Sequence, residues 1–133
     1  MKKYLPILAI ITCLYSCSST PKLLCQTWRV KNIDFSFVGK NIDSTVRAGM
    51  IQQLKDSMVV VFNADHTHRV TGMPDGVEEG TWKMGSDPHL VYLKNSKSES
   101  VMTIKSINVR SMVAIIVAKD STTLYCDMYK AAK

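Results

Sequence analysis

No long run of one residue kind occurs anywhere in this sequence. The mostly apolar N-terminal stretch, Leu5 to Leu14, is broken by Pro6, Thr12 and Cys13 and yields to polar Ser16, whereas a bilayer core demands roughly 20 apolar residues. Retention as a membrane span is thereby disfavoured. The formal net charge is +6, yet the lysines and arginines are interspersed with acids and form no basic block or basic-aromatic stripe, so nucleic acid is a poor partner. There is no GxSxG elbow and no phosphate-cradling glycine loop, and Cys25 and Cys126 lack a local catalytic motif. Glu78 and Glu79 are adjacent, so in a strand they point to opposite faces and cannot act as a carboxylate pair. These absences argue against an enzyme, and neither a catalytic residue nor a cofactor is expected.

What is present begins with Lys2 and Lys3 ahead of the apolar run, the layout of a secretory signal. Leu14, Tyr15, Ser16 and Cys17 resemble a bacterial lipobox, the site read by lipoprotein signal peptidase. That resemblance implies cleavage after residue 16 and lipid attachment to Cys17, whose several acyl chains would make a durable membrane anchor. Cys13 is the weaker candidate, because Thr12 precedes it. The alternative is an ordinary signal cut after Ser16 or Ser18. Residues 17–22 then form a short lipidated tether without an acidic residue. By the bacterial sorting rule that this resembles, Ser18 favours the outer membrane, and the missing acidic run favours its periplasmic face.

Without Lys2 and Lys3 the net charge falls from +6 to +4. Such a charge suits nearby anionic lipid or polysaccharide, or simply a solvated surface. Residues 23–133 are enough for one domain with its own core. Two cysteines remain there, Cys25 and Cys126, in a disulfide-permissive compartment. A bond between them would close a loop of about 100 residues and stabilise by roughly 4.7 kcal/mol. Two unlinked thiols are the equal alternative, since parity does not show whether the side chains meet.

Along that domain, β-like runs alternate with turn chemistry. They are 27–37, 58–62, 66–72, 77–84, 89–93, 99–107, 111–118 and 123–130. In the first, Trp28 and Val30 share one parity and Ile33, Phe35 and Phe37 the other, so a bulge near Asn32 is expected. Residues 41–57 read as the one helix, capped by Asp43 or Ser44, with Val46, Met50 and Leu54 on one stripe closing a barrel end. Pro74, Asp75 and Gly76 fit a tight turn. Most links are too short for a parallel crossover. The reading is all-β: an eight-stranded antiparallel up-and-down barrel with a short helix between strands 1 and 2, closure removing the exposed edges.

The segments LLCQTWRV, VVVFNADHTHRV, EEGTWKM, HLVYL and VMTIKSINVRSMVAIIV together resemble the bacterial lipocalin-like domains of small secreted lipoproteins. Gly80, Thr81 and Trp82 match the most specific piece of that pattern. Two positions depart from it: Gln26 stands where the opening motif has glycine, and His66 stands where a D-G-T turn has one, easing positive φ. The resemblance implies a fold and a non-catalytic role more than a named ligand.

An eight-stranded barrel is just wide enough to be filled by side chains or to hold one small ligand. By parity, Trp28, Trp82, Met84, Met102, Ile104, Met112, Ile116, Leu124 and Met128 face inward. They are either a plain core or an adaptable apolar lining for a small hydrophobic ligand. Loops 72–80 and 93–100 are the candidate surface for a protein partner. His66 and His68 are spaced to share a strand face, as two metal ligands would be, with His89, Asp65 and Asp87 the remaining donors within reach. That donor set matches no metal motif, so turn and surface histidines are expected and no metal site.

Overall fold

The computed structural model describes residues 20–36, 41–55, 57–119 and 122–131. The signal segment 1–16, Cys17 and Phe37 lie outside them. Helix α1, Thr20–Leu24, opens the described chain. Pro21 sits in its first turn, where a missing N–H sacrifices no helical hydrogen bond. The segment expected to be tether therefore ends in structure from Thr20 on.

Strand β1, Thr27–Ser36, follows, then helix α2, Ser44–Leu54. Next come β2 (Val59–Phe62), β3 (Thr67–Met73), β4 (Gly76–Met84) and β5 (Leu90–Asn95). The chain ends with β6 (Glu99–Ile107), β7 (Ser111–Ala118) and β8 (Thr123–Lys130). Each strand pairs antiparallel with the next, and β8 returns to β1, closing the barrel in sequence order.

Short polar side chains turn the corners. Asp65 Oδ1 accepts from the Thr67 N–H, Asp87 Oδ1 from His89, Asn95 Oδ1 from Lys97 and Ser98, and Asn108 Oδ1 from Arg110 and Ser111. Each mimics a backbone turn, which is why Asp and Asn recur between strands. The register of β1 against β8 slips between Val30 and Asn32. That bulge lets Trp28, Val30, Ile33 and Phe35 all bury, where strict alternation would expose one pair.

Trp28, fully buried, anchors one end. Its indole Nε1 donates to the Leu24 carbonyl at 3.0 Å, and α1 packs against β6. This end carries the β2–β3, β4–β5 and β6–β7 turns. The opposite end carries residues 74–75 and 96–98 and the β7–β8 link.

Helix α2 docks differently from the expected stripe. Asp43 caps it, accepting from the Thr45 and Val46 N–H groups at 2.8 and 3.3 Å. Val46 and Met50, however, are exposed, while Leu54 is buried and Ile51 packs on the core. The face that docks meets β1: Arg47 forms an ion pair with Asp34 and places its guanidinium 5.9 Å from the Phe35 ring centre. Residues 47, 51 and 54 share one helix face, so that pairing accompanies the inward packing of Ile51 and Leu54, with Val46 and Met50 outside.

Candidate functional site

Inside the barrel, toward the end opposite Trp28, lies a hollow of about 130 Å³. Met58, Val60, Phe62, Val70, Leu93, Met102, Ile116, Leu124 and Met128 supply its apolar wall. Met73, Ser98 and Thr122 sit at its rim, with Ser100 and Ala118 below them. All nine residues expected to face inward are buried in the core or packed against it. The structure brings Met102, Ile116, Leu124 and Met128 to the hollow. Trp28, Trp82, Met84, Ile104 and Met112 instead fill the rest of the core.

His68 is the one buried polar residue among those described, only 3% exposed. It lines the hollow, and neither ring nitrogen has a hydrogen-bond partner. Such a group costs on the order of 1–3 kcal/mol unless something satisfies it. Glu78 Oε1 stands 3.8 Å from its Nε2, too far for a direct hydrogen bond. Gly80 is opposite His68 in the ladder, and a Cβ there would fall 2.8 Å from His68 Cε1 and 2.1 Å from the Lys94 carbonyl oxygen. Glycine at this position gives the imidazole its space.

The histidines do not converge. His66 adopts φ 68°, the left-handed geometry that the departure from glycine requires. Its ring stacks on Trp82 at 4.6 Å, and Trp82 Nε1 donates to the Asn63 carbonyl at 3.1 Å, pinning the turn to β4. His89 turns to Asp87 at 3.0 Å. Among the described residues no group of three His, Cys, Asp or Glu side chains is placed to hold a metal. His68 departs from the expectation of a surface residue because it shares strand parity with Val70, a signal readable in advance. Glu78 and Glu79 diverge as expected: Glu78 faces the hollow and Glu79 pairs with Arg69 outside.

Cys25 and Cys126 are free thiols. Cys126 lies opposite Ile33 in the ladder, while Cys25 precedes Thr27, the first residue of β1. Six residues at ~3.3 Å separate Thr27 from Ile33, roughly 20 Å, against the ~7 Å that a disulfide can span between Cα atoms. The bond entertained from the sequence is not formed, because its partners sit at different heights of the barrel. Burial pushes the Cys126 thiol up to about 12 and raises that of Cys25.

The chain matches no family model and no curated protein. Its fold is similar to bovine odorant binding protein solved in complex with a selenium-containing odorant. Identity is 17% and the TM-score 0.51, over 85% of this chain and 73% of that one. A deswapped triple mutant of bovine odorant binding protein is also similar, at 17% identity and TM-score 0.49, over 84% and 76% of the two chains. The fold is lipocalin-like. At this identity the likeness is one of architecture, which in this chain is a closed eight-stranded barrel.

Proposed function

We propose that the protein is a non-catalytic carrier of a small apolar molecule, held inside the barrel and tethered to the bacterial envelope by lipid on Cys17. The observation that carries this reading is the hollow: an apolar chamber of about 130 Å³ inside a closed barrel. Dry cavities of ~150 Å³ take up benzene, so the fitting ligand is on the scale of one such ring. Met58, Met73, Met102 and Met128 line it, and flexible thioether side chains adapt to more than one shape. That a barrel of similar fold carries an odorant is consistent with this use. The resemblance of Leu14–Cys17 to a lipobox supports the anchor, Ser18 the outer membrane, and the missing acidic run after Cys17 its periplasmic face.

The test is a titration of the purified protein with toluene, followed through the ¹³C-labelled methyl groups of methionine. Saturable shifts confined to Met58, Met73, Met102 and Met128 are expected. Shifts spread over all methionines, or none, would sink the reading.

A second reading, a module that binds or inhibits another protein, is favoured by the loops. Segments 72–80 and 93–100 come together around a rim hollow of about 220 Å³ lined by Met73, Asp75, Glu79, Asn95, Lys97 and neighbouring residues. An Asp75→Ala substitution would weaken such a partner and leave toluene binding unchanged.

A further inference from the structure

Two features of the hollow point beyond a merely greasy pocket: a buried imidazole with no partner, and a carboxylate to one side of it. Resting on the carrier reading, we infer that His68 selects the ligand class, a small neutral molecule with an apolar body and one hydrogen-bond-donating hydroxyl, such as a phenol or short alcohol.

A neutral imidazole offers one N–H donor and one bare nitrogen acceptor, and its surroundings decide which nitrogen is which. Glu78 Oε1 lies 3.8 Å from Nε2, and its negative charge favours the proton on that nitrogen. Nδ1 is then the acceptor, and it too has no partner. A buried acceptor is satisfied by a donor, so an ether or hydrocarbon of the same shape leaves it orphaned. His68 lines the hollow, so a ligand in the chamber lies beside the imidazole without any backbone movement.

The same arrangement disfavours anions. A carboxylate entering the hollow would lose water and approach the Glu78 carboxylate, a repulsion that solvent screens in part because that side chain is 42% exposed. The space for the ring is built in from the opposite strand: a side chain at Gly80 would collide with His68 Cε1. Phe62 flanks the imidazole with ring centres 6.3 Å apart, holding its apolar face. Imidazole, cleared space and charge together make a recognition element out of what a filled core would exclude.

The experiment compares four single-ring probes on the purified protein by methionine-methyl titration: toluene, 4-methylanisole, 4-methylphenol and benzoate, with toluene smaller and 4-methylanisole larger than 4-methylphenol. The expected order has 4-methylphenol about tenfold tighter than toluene and 4-methylanisole, as one hydrogen bond to a buried acceptor supplies, with benzoate the weakest. In His68→Phe, 4-methylphenol, toluene and 4-methylanisole become equal. Equal binding of those three to the wild-type protein overturns the inference and leaves the carrier reading standing. So does benzoate binding as tightly as 4-methylphenol, or a phenol preference that survives His68→Phe. Failure of all four probes to bind overturns both. The wild-type comparison of 4-methylphenol with both the smaller toluene and the larger 4-methylanisole decides the matter even where the variant does not fold.

Discussion

Replacing Met102 by alanine tests packing and ligand access in one experiment. Met102 is 1% exposed and sits between Val91 on β5 and Ile116 on β7, hydrogen-bonded strands that flank β6 on either side. A methionine-to-alanine change in a core costs about 2–5 kcal/mol, the larger values arising where the site cannot collapse. Here both neighbouring ladders hold the backbone apart, so a loss of about 3–4 kcal/mol is expected. At ~4 °C per kcal/mol for a barrel of this size, the melting temperature falls by roughly 12–16 °C. The vacated space joins the hollow of about 130 Å³, so the variant accepts ligand more readily. Toluene at ~10 times its dissociation constant should return about 1.4 kcal/mol. Urea unfolding with and without toluene measures both quantities. A loss below ~1 kcal/mol would show that Met102 is not tightly packed. A full loss without recovery would show that solutes cannot reach the chamber.

Gly80→Ala should cost at least 2 to 3 kcal/mol, about the upper range for overpacking, since its Cβ would lie 2.1 Å from the Lys94 carbonyl oxygen; an unchanged urea midpoint would contradict the close approach of β4 and β5. The Asp34 carboxyl is held below its ordinary value by a hydrogen bond from Arg47, the largest influence on it. A depressed acid stabilises the fold above its unfolded pKa near 4 and loses that contribution as pH falls through its lower folded value. Both side chains are more than a third exposed, 54% for Asp34, so solvent screening limits the pair to under about 1 kcal/mol. Arg47→Ala should therefore weaken amide protection in α2 at pH 7, and an equal difference persisting at pH 2 would refute the pairing. Cys126, pushed up to about 12 by burial, should resist alkylation at pH 8 in the folded protein, and both Cys25 and Cys126 should react once it is unfolded without reductant; one or no reactive thiol then would mean a disulfide.

Much of the barrel could be read from strand parity and turn residues. The β1 bulge is an example: two inward parities within one run, Trp28 with Val30 and Ile33 with Phe35, require a slipped residue near Asn32, and the ladder slips there. His66 is another, since a turn pattern that wants glycine identified a non-glycine residue with positive φ. The docking face of α2 was not legible. The sequence marked the stripe of Val46, Met50 and Leu54, but the side that packs carries Ile51 and Leu54, with Arg47 of that face meeting Asp34 and Phe35 of β1, neighbours only in three dimensions. The hollow was half legible. Parity put Met102, Ile116, Leu124 and Met128 inside, but it cannot tell height along the barrel axis. Trp28 and Met112 therefore stood beside them on equal terms, although they lie outside the chamber. The same blindness to height left the pairing of Cys25 with Cys126 open. His68 carried a signal that was available, its parity with Val70, masked by the expectation that histidines beside a turn face solvent.

The carrier reading stands or falls most directly on native mass spectrometry of the protein purified from cells without delipidation. The account predicts a reproducible extra mass of one small neutral molecule, on the scale of the single benzene-sized ring that a chamber of about 130 Å³ admits, released on unfolding. A bare protein mass in every preparation would contradict it and would turn attention to the paired loops 72–80 and 93–100.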